Sequence, residues 1–221
     1  MPPVKALLLE VSFFEAHFRA HYTETTRISY PAPLPTSVAG IFGAMLGWGR
    51  QRYPDGLLYG AKISRSLKPF IETVTYHQFG PSSRVKGVAP MEVLSEPAFV
   101  IAVASGDPNQ LEAWSSKLSR EEYEYLPYGG QNDFFVKDIG PARLTDVAYT
   151  DIVEGYAPSS IVEEFLTEEG SVSLLPVSYR KKNRELFAFP SGGAKLQLKQ
   201  PVPAAEGIPL YPLEDFYVVV G

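Results

Sequence analysis

The chain has 221 residues, 20 lysines and arginines against 25 aspartates and glutamates, a net charge of −5 and no cysteine. That length suffices for one large domain or two small ones, and the apolar and charged fractions are those of an ordinary globular protein. The missing cysteines exclude disulfides, thiolate nucleophiles and cysteine-held metals, and the net acidity argues against a protein that wraps nucleic acid by itself. Lys5 to Phe14 (KALLLEVSFF) is apolar and predicts a buried strand. His17 to Tyr30 is polar, aromatic and basic, and predicts an extended, partly exposed segment. Pro31-Ala32-Pro33-Leu34-Pro35 sets a turn, after which Thr36 or Ser37 caps a helix reaching about Arg52. Gly40, Gly43 and Gly47 share one face of that helix, where another backbone could approach closely at a propensity cost of roughly 1 kcal/mol per glycine. Tyr53-Pro54-Asp55-Gly56 reads as a turn.

Lys62 to Thr75 predicts a strand, Tyr76 to Pro90 a loop or hairpin tip, and Met91 to Ala104 a returning strand with an edge or bulge at Pro97. Asp107 caps a helix to Leu118, with Pro108 in its first turn. A glycine turn at Tyr128-Gly129-Gly130-Gln131-Asn132 leads into a strand within Phe134 to Thr150. The order strand, helix, strand, hairpin, strand, helix, strand matches the ferredoxin-like pattern that RNA-recognition modules also use, so the fold class is α+β, RRM-like. Beyond about residue 155 only short β-like pieces remain: Ser171–Tyr179, Leu186–Phe189, Lys195–Leu198 and Asp215–Val220. We therefore expect a ferredoxin-like domain over 1–150 and a small β-rich C-terminal subdomain over 151–221. No apolar run reaches the roughly 18–20 residues that span a bilayer. The N-terminus shows no small-residue cleavage site, which predicts a cytoplasmic protein with no membrane partner.

Charge is unevenly spread. Residues 1–87 carry ten bases and five acids, whereas residues 88–221 carry ten and twenty. The first segment suits a polyanion and the second a basic protein partner, although such asymmetry also arises by chance. Phosphate-binding loops, nucleophile elbows and zinc-protease motifs are absent. His17 and His21 fall short of a metal set by count, and no cofactor is expected. Candidate RNA-binding residues are His17, Arg19, His21, Tyr22, Arg27, Tyr30, Arg50, Arg52, Arg84 and Lys86: arginines and lysine for phosphates, rings for unpaired bases. Trp48 is either a further stacking ring or core. His17, Arg19, His21, Tyr22 and Tyr30 could equally supply acid–base groups for RNA cleavage, and composition does not separate the two. Glu163, Glu164, Glu168 and Glu169 read as a solvated face, and Arg180-Lys181-Lys182-Asn183-Arg184 as a basic turn with or without a partner.

The run HFRAHYTETTRISYPAPLPTSVAGIFGAMLGW resembles the N-terminal motif of the Cas-five family of CRISPR systems, in the repeat-associated mysterious protein (RAMP) group. PMEVLSEPAFVIAV and YLPYGGQNDFFVKDI look similar as well, and the resemblance covers most of residues 6–140. It implies a non-catalytic subunit of a type I Cascade complex active in antiviral defence. Its partners would be the crRNA 5' handle, the Cas-seven backbone subunit and the Cascade large subunit. It also implies a β-hairpin thumb at about 72–90, with handle contacts from His17–Tyr30, the start of the glycine helix and the thumb base. One branch of the family is a metal-independent endoribonuclease that processes CRISPR repeat RNA, using tyrosine, lysine and histidine. None of the three histidines here follows a lysine, a departure that weighs against that activity.

Overall fold

The computed structural model describes residues 5–20, 22–23, 25–49, 52–65, 69–79, 84–180 and 182–216. In chain order the strands and helices are β1 (Lys5–Phe13), β2 (Glu15–Ala16), β3 (Phe18–Arg19), β4 (Ser29–Tyr30), α1 (Pro35–Leu46), β5 (Leu58–Arg65), β6 (Phe70–Phe79), β7 (Arg84–Ser95), β8 (Ala98–Ser105) and α2 (Pro108–Ser119). There follow β9 (Val136–Ile139), β10 (Arg143–Asp146), β11 (Ala148–Val153), β12 (Ala157–Pro158), β13 (Val162–Leu166), β14 (Ser171–Tyr179), β15 (Lys182–Ser191), β16 (Lys195–Ala205), β17 (Ile208–Pro209) and β18 (Tyr211–Pro212). The architecture is α+β, dominated by antiparallel sheets. The central sheet runs β10-β1-β8-β5-β18, with β9 also paired to β1.

The apolar run at the N-terminus has no period-two alternation because both faces of β1 are covered. Leu7, Leu9, Val11 and Phe13 pack with α1 and α2 on one side; Ala6 and Leu8 pack with Ile208 and Leu210 on the other. Helix α2 begins where the sequence predicts: the Asp107 carboxylate accepts from the backbone N–H of Asn109 and Gln110. Helix α1 differs. Its N-cap is Leu34, no side chain caps it, and it stops at Gly47, whose φ of 77° is left-handed. Pro35 supplies the start by fixing φ and lacking an N–H, so no hydroxyl is needed.

Several expected single strands are interrupted. The segment 62–75 divides into β5, in the central sheet, and β6, in the hairpin. The segment 91–104 divides into the end of β7 and β8 at Glu96, which has a φ of 43°, and Pro97. These breaks let β6 and β7 leave the sheet as an antiparallel hairpin, with Phe70 opposite Val93 and Phe79 opposite Arg84. Its strands are Phe70–Phe79 and Arg84–Ser95, which begin before and end after the expected 72–90. The segment 134–150 is three strands, two of which share the edge of β1. Asp215 and Phe216 lie in a 3-10 turn (Leu213–Phe216) rather than in a strand.

The boundary expected at residue 150 falls inside one hydrophobic core. Tyr156, Val177, Tyr179, Phe187, Phe189, Tyr211, Leu213 and Phe216 belong to the same buried cluster as the face of β1, β8 and α1. Lys62 Nζ also meets the Glu154 carboxylate at 2.8 Å, and Lys195 reaches the same carboxylate at 3.0 Å. The N-terminal positive excess is thus partly spent on acids of the C-terminal half.

Candidate nucleic-acid interface

The strip formed by β3 and β4 crosses the base of the hairpin. Phe18 pairs with Tyr30 and Arg19 with Ser29, and Arg27 bridges Met91 in parallel. The Arg27 N–H donates to the Pro90 carbonyl at 2.9 Å, and the Glu92 N–H donates to the Arg27 carbonyl at 2.8 Å. Glu92 ties the junction further: its carboxylate accepts from the Ser29 N–H at 3.0 Å and its carbonyl from His17 Nδ1 at 2.8 Å. A turn lying against the strip completes the floor. The His17 N–H donates to the Gly129 carbonyl, and a Cβ on Gly129 would lie 2.6 Å from the Glu15 carbonyl oxygen. The close backbone approach expected along α1 therefore occurs at Gly129 and Gly130. Gly40 faces open space, and Gly43 meets the rings of Trp48 and Tyr53.

Adjacent strand residues point to opposite faces, and the strip accordingly has a hollow on each side. One, of about 250 Å3, is lined by Arg19, Tyr30, Leu34, Thr36, Ser37 and Gly130 among others. It continues along α1 into a hollow of about 240 Å3 that includes Gly40, Ala44 and Tyr128. The other is a groove of about 640 Å3 between the strip, β5 and the β14–β15 hairpin. Its polar lining includes Ser29, Ser64, Arg65, Glu92, Ser171 and Ser191. The serines of β14 and β15 had no signature in the sequence. They join the groove through pairings distant in the chain.

Arg19 is exposed at the first hollow, and among the described residues no carboxylate pairs with it. Arg27 and Tyr22 lie half-buried beside it. Burial raises the Tyr22 pKa, and the Glu92 charge adds to that. Two placements depart from the expected surface. Tyr30 is 2 % exposed, donates its hydroxyl to the Pro176 carbonyl at 2.9 Å and stacks on Phe189, so its ring has no free face for a base. Its pKa is pushed far above the ordinary phenol value, mainly by burial and then by Tyr22. His17 is 1 % exposed and is held as a donor to the Glu92 carbonyl. A carbonyl only accepts, so Nδ1 carries the proton, and the neutral form of His17 is the Nδ1–H tautomer. Both residues are buried because the strip is sandwiched between the core and the hairpin base.

Arg52 is exposed beyond the far end of α1, a helix of 12 residues or about 18 Å, and is not gathered with Arg19. Arg84 and Lys86 lie in the distal half of β7, with their side chains outside the described set. His21 and Arg50 also lie outside the described residues. Trp48 packs 5.0 Å from the Trp114 ring, which takes the core alternative. Arg180 is engaged with Asp215 at 3.0 Å and lies over the Tyr179 ring, so the basic turn has a partner within the chain. Glu163, Glu164, Glu168 and Glu169 are all exposed.

Burial pushes the His17 pKa below the ordinary imidazole value; the Glu92 hydrogen bond opposes this, and the charges of Arg27 and Arg19 reinforce it. The unfolded chain then binds the extra proton first. Stability from this group is complete above about pH 6.5 and is lost as pH falls through the window below it. We expect His17→Asn, whose amide can still donate to Glu92, to flatten the fall in melting temperature between about pH 7 and pH 5. An unchanged slope would place His17 outside that dependence.

No family model matches this sequence, and no curated protein matches it. Among solved structures, a chain of a CRISPR RNA-guided surveillance complex is similar with a TM-score of 0.52 and 17 % identity, covering 96 % of this chain and 93 % of that one. A crystal structure of a Cas protein gives 0.42 and 16 %, with 88 % and 95 % covered. A functionally uncharacterized protein from Streptococcus mutans gives 0.40 and 11 %, with 88 % and 92 % covered. The first likeness is one of fold; the other two are too loose to argue from. Among the described residues no helix is long and apolar enough to cross a membrane.

Proposed function

We propose that this chain is a non-catalytic, RNA-binding subunit of a CRISPR effector complex, of the Cas-five kind in a type I Cascade. In this reading it holds the crRNA 5' handle and contacts the Cas-seven backbone and large subunits in the cytoplasm. The observation that carries this reading is the likeness in fold, over nearly the whole chain, to a chain of a CRISPR RNA-guided surveillance complex. The topology supports the finer assignment to a ferredoxin-like core. Its split β-α-β halves are β1-α1-β5 and β8-α2-β9/β10, in the order β10-β1-β8-β5. The β6–β7 hairpin, inserted between β5 and β8, is the thumb.

Handle binding is assigned to the hollow beside Arg19 and to the hairpin base at Arg27. The exposed Arg19 guanidinium, without a carboxylate partner among the described residues and at a hollow lined by helix-start hydroxyls, suits a phosphate, while Tyr22 offers a partly exposed ring. Burial weighs against His17 as a catalytic base: Nε2, the nitrogen that would take a proton, is buried with the rest of the ring.

The test is assembly with guide RNA and the neighbouring subunits, comparing wild type with Arg19→Ala/Arg27→Ala. Loss of two phosphate contacts should reduce the slope of log affinity against log salt by about 1.4 and lower the yield of RNA-bearing complex. Wild-type assembly by the double variant would remove these residues from the interface. Site-specific cleavage of repeat RNA in EDTA by the purified chain would replace the non-catalytic reading with the ribonuclease one.

A further inference from the structure

Five large apolar side chains stand out to solvent around the outer end of α1 and the turn beside it. Phe14 is 56 % exposed, Tyr125 66 %, Leu126 64 %, Tyr128 50 % and Phe135 67 %. They are neighbours. Tyr128 forms a β-bridge with Phe135, the Phe14 N–H donates to the Phe135 carbonyl, and the Tyr125 N–H donates to the Ala44 carbonyl of α1. Ala44 in turn lines a hollow with Tyr128. Strand alternation buries Phe13 and Phe134 and turns Phe14 and Phe135 to solvent, with Lys137 Nζ 5.7 Å from the centre of the Phe14 ring. A contiguous apolar patch of this kind on a chain's surface marks a contact with another macromolecule.

The charges around the patch say which kind. Residues 120–138 hold five acids and two bases. Both bases are engaged: Arg120 with Glu122 at 2.9 Å and Lys137 with Glu96 at 3.0 Å. Glu124 packs against Gly47 at the C-terminal end of α1, which has no base in its last turn. An acid at that end meets the negative pole of the helix, where a cation is favoured. The surroundings therefore attract positive charge and repel phosphate.

We propose that this patch docks a protein subunit whose contacting face is apolar and rimmed by lysine or arginine. Aromatic rings can also stack nucleobases, but a phosphate chain laid here would run against Glu121, Glu124, Asp133 and Asp138, which form no ion pair among the described residues. The inference rests on the complex membership proposed above and adds the surface that meets a protein rather than RNA.

The experiment places a photo-reactive benzoylphenylalanine at Phe135 and assembles the complex with the neighbouring subunits and guide RNA. Irradiation is expected to join the chain to a protein subunit. In parallel, Phe14→Lys/Phe135→Lys should fall about tenfold or more in incorporation, as loss of a central apolar anchor does, while its melting temperature and its RNA binding as a lone chain stay unchanged. A crosslink to RNA, no crosslink in an assembled complex, or full incorporation of the double variant would each overturn the docking surface. Failure of the wild-type chain to join any such complex would instead defeat the membership on which it rests.

Discussion

Replacing Tyr156 with alanine is expected to cost about 3–5 kcal/mol of folding stability, measured by urea denaturation. The ring is 2 % exposed and lies among Phe187, Phe189 and Tyr211, the last stacked on it at an interplanar angle of 10°. Its hydroxyl donates to the Pro33 carbonyl at 3.2 Å, on the linker into α1, while its own carbonyl accepts from the Tyr211 hydroxyl at 3.0 Å. Removing it opens a cavity at the point where strands from both ends of the chain meet. Since a domain commonly holds only about 5–15 kcal/mol in total, the variant should be near its unfolding threshold at room temperature. Tyr156→Phe, which deletes one hydrogen bond and keeps the packing, should lose only about 1 kcal/mol. A loss below that level for the alanine variant would mean that the ring cluster does not tie the halves together.

Gly130→Val should be the most damaging single change near the candidate interface, with a loss of about 3 kcal/mol or more. Gly130 has a φ of 87°, which a β-branched residue adopts poorly, and a Cβ there would run into the His17 carbonyl oxygen. Relief of that overlap would displace the floor beneath Arg19, so RNA affinity should fall with stability. Gly40→Ala is the contrasting case. Gly40 is exposed inside α1 with no atom within 4 Å of an added Cβ, so alanine should be neutral or stabilising by up to about 1 kcal/mol. Thermal melts of the two variants side by side check both statements, and a destabilised Gly40→Ala would show that α1 is packed more tightly than its surroundings indicate.

The contrast between these glycines shows how far the sequence could be read. Gly40, Gly43 and Gly47 carry helical spacing, which signals a shared face but not what lies against it. Gly47 is in fact the left-handed stop of the helix. The glycines that do meet backbone, Gly129 and Gly130, meet residues over a hundred positions away, and no local pattern reports that. The buried strand, the α2 cap at Asp107 and β14 (Ser171–Tyr179) were legible because each rests on local chemistry. Longer strands were read across Glu96–Pro97 and past Arg65, since an apolar run looks alike on either side of a change of sheet. Among the candidate site residues, Arg19 lies on the surface, as its place in a polar, aromatic and basic run suggests. His17 and Tyr30 look like surface residues by type, but His17 is buried against Glu92 of the hairpin base and Tyr30 against Pro176 and Phe189, all distant in the chain.

Strand β18 joins the exposed side of β5, pairing Tyr211 with Tyr59 and Pro212 with Leu58. The seal on an edge laid down early in translation is thus delivered some 150 residues later. Until then the nascent sheet offers unpaired amides and carbonyls to any neighbouring chain, a period in which misassociation competes with completion. Fast synthesis, chaperone shelter or early engagement by a partner would each shorten that period, so yield from recombinant expression should depend on Tyr211 and Pro212 more than a two-residue pairing suggests.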